Sequence, residues 1–322
     1  MTTSIGLVAP ELMSALADVT VEADGLQATV GSEELTAKTA NELSRKLGSA
    51  LYQQLHANMG EQDKHRQRDL RDDALESRFS DAMPHRTTVL HGELVSSDAE
   101  SETLVARLDG VRVVVPRDRV EEETADRVAF RIPAPRPALS PGFFLTDGSR
   151  GRTTGAEQTL RLYFHLTGPE HAPAVWGTVL SRMEDLGIRY RTKISSSPKF
   201  YPRRDGMVVY LGPDAWHTAG EIAAAATGLP GVGETTSPFV HRIANGVGAS
   251  WEPEDNRAGK RGLSFGEHRS QVVAEAMVTH ALRQDTSSLE SAIAEALFDA
   301  DTDPLAPARN LSSPALPAIG LA

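Results

Sequence analysis

The stretch over residues 161–214 constrains the fold of this chain most, because its hydrophobic period changes from two to 3.6 and back again. Residues 160–167 alternate between apolar and polar side chains, which predicts a strand. An apolar stripe with helical spacing runs over residues 173–187 and predicts a helix. Residues 188–194 and 207–211 predict two more strands. In such a strand–helix–strand unit, the second strand is expected to lie beside the first and parallel to it.

Cationic side chains gather on one face of this unit. If the first two strands are neighbours, His165 shares a sheet face with Arg191 and Lys193. The whole chain has a formal net charge of −11, so the local excess of cations stands out. Cations repel one another unless an anion lies between them, and the arginine fork matches a phosphate. The cluster therefore predicts a site for a phosphate-sized anion, with a solvated strand face as the alternative.

The composition excludes several functions. The 322 residues include no cysteine, which rules out disulfides, thiolate metal sites and cysteine nucleophiles. The ten histidines lack HxH or HExxH spacing, and the sequence has no Walker A, GxGxxG or GxSxG motif, so we expect neither a metal nor an organic cofactor. No apolar run approaches the ~20 residues of a membrane helix. With the acidic net charge, this predicts a cytoplasmic protein that binds neither membrane nor nucleic acid.

The pattern along the whole chain predicts an α+β fold, in which an N-terminal region of helices and strands precedes a mixed sheet flanked by helices. Prolines over residues 133–141 cannot continue a central strand and indicate a boundary. We therefore expect an N-terminal α+β domain over residues 1–135 that binds a peptide or a partner, and a second domain over residues 136–303. The Pro- and Ala-rich residues 304–322 are predicted to be a disordered tail.

Local signals predict a turn and two helix starts. Asp24-Gly25 is a strong hairpin dipeptide, and Ser32 is predicted to cap a helix with a leucine stripe. The residues over 264–267, SFGE, have the spacing of a capping box, which places His268 and Arg269 in the first helical turn. A cation there opposes the helix dipole unless an anion docks beside it. Arg269 is therefore a candidate phosphate ligand, and a surface arginine without a role is the alternative.

Acid–base chemistry on a phosphorylated substrate is what these residue types leave open. Elimination of phosphate from phosphoserine or phosphothreonine needs a base for the α-proton, an acid for the leaving oxygen and cations for the dianion. A lysine among arginines suits the base, and a histidine beside a dianion suits the acid. The reaction requires no metal or organic cofactor.

Several sequence blocks resemble the HopA-class type III effector domain: YFHL, KISS, VVYLGP, GVG and SFGEHR, over about residues 140–285. This domain also forms the lyase component of class V lanthipeptide and thioamitide biosynthesis. The resemblance implies that the chain eliminates phosphate from phosphoserine and phosphothreonine in a ribosomal precursor peptide, giving dehydroalanine and dehydrobutyrine. A kinase-like protein that supplies the phosphate, and a further synthetase subunit, are the implied partners.

A more distant similarity is to the phosphothreonine lyase effectors, whose patterns are Lys-Phe-His-Ile and Lys-x-Lys-Val on two strands. Carried over, His165 matches the general acid, Lys193 the base and Arg191 the first lysine of the second pattern. Tyr210 resembles a tyrosine on the following strand. Tyr163 departs from the family by standing where it has a lysine. The resemblance implies that Tyr210 orients the phosphate and that the residues holding it are Arg191, Arg203, Arg204 and Arg269. The additional candidates are Arg189, Tyr163 and His268.

Two other functions remain open at this point. A non-catalytic phosphopeptide-binding adaptor of a synthetase complex would need the cations but not the acid and base. A type III effector acting on a host protein would share the domain, but a neighbouring kinase-like gene with a short precursor gene would argue against it.

Overall fold

The computed structural model describes residues 6–59, 70–153, 158–283 and 287–321. The elements of the N-terminal segment are, in chain order, α1 (Pro10–Ala15), β1 (Val19–Val21), β2 (Gln27–Val30), β3 (Glu33–Thr36), α2 (Ala40–Leu51), a π-helical turn (Tyr52–Ala57) and α3 (Asp73–Ala82). β1, β2 and β3 form an antiparallel sheet. The predicted hairpin across Asp24-Gly25 is confirmed, since β1 pairs with β2 on either side of it.

The prediction that Ser32 caps a helix is wrong. The residues that follow it form β3, and Thr39 caps α2 by accepting a hydrogen bond from the Glu42 N–H at 3.2 Å. The leucine stripe itself is helical and buried, with Leu43 and Leu47 inaccessible to solvent. The leucine stripe thus predicted the helix correctly, but Ser32 was the wrong cap, because the short edge strand β3 lies between Ser32 and α2.

A five-stranded antiparallel sheet follows. Its strands are β4 (Thr87–Ser97), β5 (Thr103–Leu108), β6 (Val111–Pro116), β7 (Val120–Glu123) and β8 (Arg127–Pro133), in the spatial order β6-β5-β4-β8-β7. It encloses a small hydrophobic core of its own around Leu104, Val115 and Phe130.

A seven-stranded sheet forms the centre of the molecule. Its elements and the helices between them are β9 (Arg136–Ser140), β10 (Phe143–Asp147), β11 (Leu160–Leu166), α4 (Ala172–Asp185), β12 (Tyr190–Ser195), β13 (Arg203–Leu211), α5 (Ala219–Ala226), β14 (His241–Ala244) and β15 (Val247–Trp251). The spatial order is β14-β15-β11-β13-β12-β10-β9, and every neighbouring pair is antiparallel. With its helices, this confirms the α+β class. The predicted mixed sheet is wrong, because neighbouring strands within this sheet pair only in the antiparallel sense.

The predicted pairing of the first two strands of the central unit is wrong. β13 lies between β11 and β12 and is antiparallel to both, so β11 and β12 run parallel to each other without touching. The helix α4 still provides the crossover, and β13 fills the position that the crossover leaves open.

Helices cover both faces of the seven-stranded sheet. One face packs on α3, α4 and α5 around Phe79 and Trp176. The other face packs on α2, α6 (Phe265–Arg283) and α7 (Leu289–Asp299), with Tyr163 and Val208 of the sheet in the same core as Leu47 of α2. Buried residues of the first 57 positions therefore belong to the core of the second half of the chain.

Residues 304–321 differ from the predicted disordered tail. Ala308, Leu316 and Leu321 are buried in the main core. The Trp251 N–H donates to the Ala308 carbonyl at 2.8 Å, and its indole N–H donates to the Pro314 carbonyl at 3.1 Å. The composition suggested disorder, but the alanines and leucines of this segment find an apolar surface that only the folded sheet provides. Within the described ranges, no helix has both the length and the apolar character needed to cross a membrane.

Candidate active site

Two rows of side chains cross the face of the seven-stranded sheet that packs toward α2 and α6. Registration across β11, β13 and β12 gives their members: Arg161, Tyr210 and Arg191 in the first row, and Tyr163, Val208 and Lys193 in the second. Residues in register on adjacent strands point to the same side of a sheet. The two rows therefore place three cations on one face, although they come from two strands that do not touch.

The rows form the floor of two adjoining cavities, of about 660 and 500 Å³. Both cavities are lined by Ser140, Arg161, Lys193, Tyr210 and Glu252, so these residues mark their junction. The π-helical turn after α2 forms a wall of the larger cavity, and the loop over 252–264 with the first turn of α6 covers it. Each volume lies within the range usual for ligand-binding pockets.

Lys193 is the cation at this junction that keeps its charge-bearing atom available. Its Nζ lies 4.1 Å from the centroid of the Phe143 ring, and it makes no hydrogen bond or ion pair with any residue that the structure describes. An amine held over an aromatic ring and left without an acceptor can bind an anion or, once neutral, accept a proton.

Two arginines flank Tyr210 in the first row, and each of them forms an ion pair with a carboxylate. Buried Arg161 donates through Nε and Nη2 to both oxygens of Glu252, and its guanidinium lies 5.1 Å from the centroid of the Tyr210 ring. Arg191 donates to both oxygens of Asp147, at 2.7 and 3.1 Å. Bidentate acceptors of this shape resemble phosphate, so both forks are already arranged for such an anion.

His165 lies near the end of β11, and neither cavity includes it in its lining. Its Nδ1 donates to the Thr235 carbonyl at 3.1 Å. Gly233 leaves room for the ring, since a Cβ there would lie within 2.7 Å of three of its atoms. Burial, and then the charge of Arg204, lower the pKa of His165, while the hydrogen bond to Thr235 opposes them. Arg204 itself donates to the Thr235 hydroxyl and the Leu55 carbonyl, at 3.2 and 3.1 Å.

Arg203 is buried and engaged by protein acceptors. It donates to Asp205 at 2.5 and 3.1 Å and to the Tyr52 hydroxyl at 2.7 Å. Asp205 lines the larger cavity, whereas Arg203 does not. Burial raises the pKa of Asp205, but the ion pair with Arg203 outweighs it and holds that pKa well below its ordinary value. Arg203 therefore maintains an anionic carboxylate in the cavity wall.

Arg269 and His268 lie together at the start of α6, and neither of them lines the two cavities. The capping box predicted there is formed, because Glu267 accepts a hydrogen bond from the Ser264 N–H at 2.8 Å. Fully buried Arg269 donates to the Pro307 carbonyl and to Nδ1 of His268, at 2.9 and 2.8 Å. Its third partner is the side chain of Asn310, and Nε2 of His268 donates to Asp255, both at 2.9 Å. These contacts tie the C-terminal segment to α6 and engage three nitrogens of Arg269 with protein acceptors.

Of the two remaining candidates, one lines a cavity and one does not. Tyr163 is buried in the floor of the larger one, and its hydroxyl lies 3.5 Å from Nη1 of Arg161. Arg189 lies outside both cavities and pairs with Asp214 at 3.0 Å near the surface.

Several residues of the site had no place in the sequence prediction. Arg161 carried a detectable signal, because it alternates in phase with Tyr163 on β11. Tyr52 and His56 carried none, since they come from a helical turn about 100 residues away along the chain. Glu252 lies just beyond β15 and likewise gave no local signal.

The fold and the site define an α+β protein with a cation-bearing sheet face beneath two adjoining cavities. The model of the HopA1 effector protein family matches residues 134–309, more than half of the chain. The chain therefore belongs to the HopA1 effector protein family. No curated protein is detectably similar to it in sequence.

Two solved structures from Pseudomonas syringae are similar to the chain. The effector protein from pathovar tomato strain DC3000 has a TM-score of 0.45 and 12% identity, covering 84% of this chain and 95% of that one. The effector protein from pathovar syringae strain 61 has a TM-score of 0.43 and 12% identity, covering 83% and 99%.

Proposed function

We propose that this protein is a phosphoserine/phosphothreonine lyase acting in the cytoplasm on a ribosomal precursor peptide. The observation that carries the proposal is the available amine of Lys193 at the junction of two cavities, beside Arg161 and Arg191. A base and two cations on one surface meet the main demands of phosphate elimination. The HopA-class resemblance supports the same reaction. It also implies two partners, a kinase-like protein and a further synthetase subunit.

In the proposed reaction, the neutral amine of Lys193 takes the α-proton of the phosphorylated residue. The electron pair left on Cα forms the Cα=Cβ double bond, and the Cβ–O bond breaks as phosphate departs. Arg161 holds the dianion in place of Glu252, Arg191 contributes the nitrogen that Asp147 leaves unused, and Tyr210 lies between the two arginines and orients the dianion. Dehydroalanine or dehydrobutyrine remains in the peptide.

The leaving oxygen also needs a proton. The resemblance implies His165 as the donor, and its Nε2 makes no hydrogen bond with the described residues. The ring lies outside the two cavities that Lys193 lines, so variants of His165 form part of the test.

The test is mass spectrometry of a phosphoserine precursor peptide incubated with the full-length protein in the presence of a chelator. We expect the peptide to lose the mass of one phosphoric acid. Lys193→Met should slow this loss by at least about 100-fold, because it removes the base and keeps the side-chain volume, while the Kd for phosphopeptide changes much less. Lys38→Met is the matched control, since Lys38 is an exposed lysine outside the site.

Each unexpected outcome of this experiment has a different interpretation. Phosphopeptide binding without any change of mass supports the adaptor instead of the lyase. If Lys193→Met weakens binding and turnover equally, Lys193 is a phosphate ligand and its assignment as base is wrong. Loss of phosphate only without the chelator contradicts a metal-independent reaction.

A further inference from the structure

A histidine outside the family match enters the larger cavity from the N-terminal segment. The π-helical turn Tyr52–Ala57 continues α2, and both Tyr52 and His56 line the cavity that Lys193 lines. The His56 ring is buried, with the Tyr163 ring edge-on at 5.1 Å and the Phe265 ring at 5.7 Å. The ring is therefore held in one place against the floor of the cavity.

The two ring nitrogens of His56 have different surroundings. Nδ1 lies 3.1 Å from the Ser237 hydroxyl, which also accepts a hydrogen bond from the Phe239 N–H at 3.2 Å. Nε2 has no hydrogen bond among the described residues, and the Asp205 carboxylate is 3.9 Å away. A hydroxyl can rotate, so Ser237 can donate to a neutral ring or accept from a protonated one. The ring can thus change its charge without losing its anchor.

The first turn of α6 carries no side chain where the His56 ring lies. A Cβ at Gly266 would come within 2.7 Å of three ring atoms. Gly266 belongs to the SFGEHR block, and its φ is not in the left-handed region. The glycine is therefore needed to leave room for the ring and not to allow an unusual backbone conformation. This close approach couples a motif of the second half of the chain to a side chain of the N-terminal segment.

The charges around His56 favour a neutral ring in the free protein. Burial lowers the pKa of His56 to about 4, Asp205 opposes this, and Arg203, Arg161 and Arg204 add to it. A phosphate dianion in the cavity would bring negative charge next to the ring and favour the imidazolium. Substrate binding itself would then lead to protonation of His56, which provides the proton that the leaving group needs.

We propose that His56, and not His165, protonates the departing phosphate. This inference rests on the proposed function and names its proton donor. As Lys193 takes the α-proton and the Cβ–O bond breaks, the bond's electron pair passes to the leaving oxygen, which takes the proton from Nε2 of the His56 imidazolium. Lys193 ends protonated and His56 neutral, and exchange with solvent restores both. Asp205 stays anionic and orients the ring.

The test compares phosphoserine with S-phosphocysteine at the same position of one peptide. Both present the same dianion, but the leaving thiophosphate sulfur is a weak base and needs little help from a proton donor. His56→Gln should lower the elimination rate on phosphoserine about 100-fold and on S-phosphocysteine by less than about tenfold. Lys193→Met should abolish both reactions, and the matched variant His217→Gln, at an exposed histidine outside both cavities, should change neither by more than a few-fold.

The selective loss distinguishes a proton donor from a packing residue. Equal losses on the two peptides, or the selective pattern appearing in His165→Gln instead, would overturn the assignment. If His56→Gln does not fold, Ser237→Ala removes the anchor of Nδ1 and should give the same selectivity at about tenfold. A native protein that eliminates neither group refutes the lyase proposal itself, whereas full activity of a folded His56→Gln refutes only the role of His56.

Discussion

Replacing Gly266 by alanine tests how tightly His56 is enclosed. The new Cβ would lie within 2.7 Å of three ring atoms, which is closer than atoms approach in packed proteins. The ring cannot move aside easily, because Tyr163 and Phe265 pack on it and Ser237 holds Nδ1. Overpacking of this kind typically costs about 1–3 kcal/mol.

Gly220 provides the matched control. It is the second residue of α5, as Gly266 is of α6, and a Cβ there meets nothing within 4 Å. Gly220→Ala should therefore gain the usual helical advantage of alanine, up to about 1 kcal/mol. The same gain offsets part of the clash in Gly266→Ala, so the two variants should differ by about 1–3 kcal/mol in free energy of unfolding.

Equilibrium urea unfolding of the native protein and both variants measures this difference. The enclosure of His56 is refuted if Gly266→Ala is as stable as Gly220→Ala with an unchanged m-value. A destabilised Gly266→Ala that also loses phosphoserine elimination, while Gly220→Ala keeps it, would connect the packing of the ring to the reaction.

Two further predictions follow from the charges. Arg161→Lys should weaken phosphopeptide binding about 10–100-fold in a calorimetric titration, because lysine lacks the fork that also binds Glu252, whereas Arg189→Lys on the surface should leave the Kd unchanged. Burial lowers the pKa of both His56 and His268 from about 6.5 to about 4. Between pH 6.5 and 4, the unfolded chain therefore binds protons at these two histidines that the folded chain does not bind. The contribution of the two neutral rings to the free energy of unfolding should be fully present above pH 6.5 and fall by about 3 kcal/mol per histidine toward pH 4, and His56→Gln should reduce the fall measured by urea unfolding. A fall that His56→Gln leaves unchanged would contradict the burial of a neutral His56.

Local periodicity predicted the strands that carry Lys193, Arg191 and Tyr210, because alternation is written into each strand by its own residues. Which strands become neighbours was not predictable in the same way. The insertion of β13 between β11 and β12 depends on long-range pairing, and it brings Arg161 into the row of Arg191. Alternation with the predicted pairing of β11 and β12 had instead placed His165 beside Arg191 and Lys193.

The role of Arg269 shows a second limit of local reasoning. Its place in the first turn of α6 suggested an anion, but its partners include the Pro307 carbonyl and the Asn310 side chain, in a segment whose composition predicts disorder. A buried arginine can be anticipated only when its acceptors are known, and here those acceptors come from about 40 residues further along the chain.

The core shared by α2 and α6 has a consequence for engineering this family. A protein trimmed to residues 134–309 would uncover the apolar face of α6, including Val273 and Met277, where Leu43 and Leu47 pack. Chimeras that exchange the family-matched domain at that boundary would also leave one wall of the cavity behind. Grafts between relatives should therefore carry α2 and its π-helical turn together with α6, because both the shared core and the cavity depend on them.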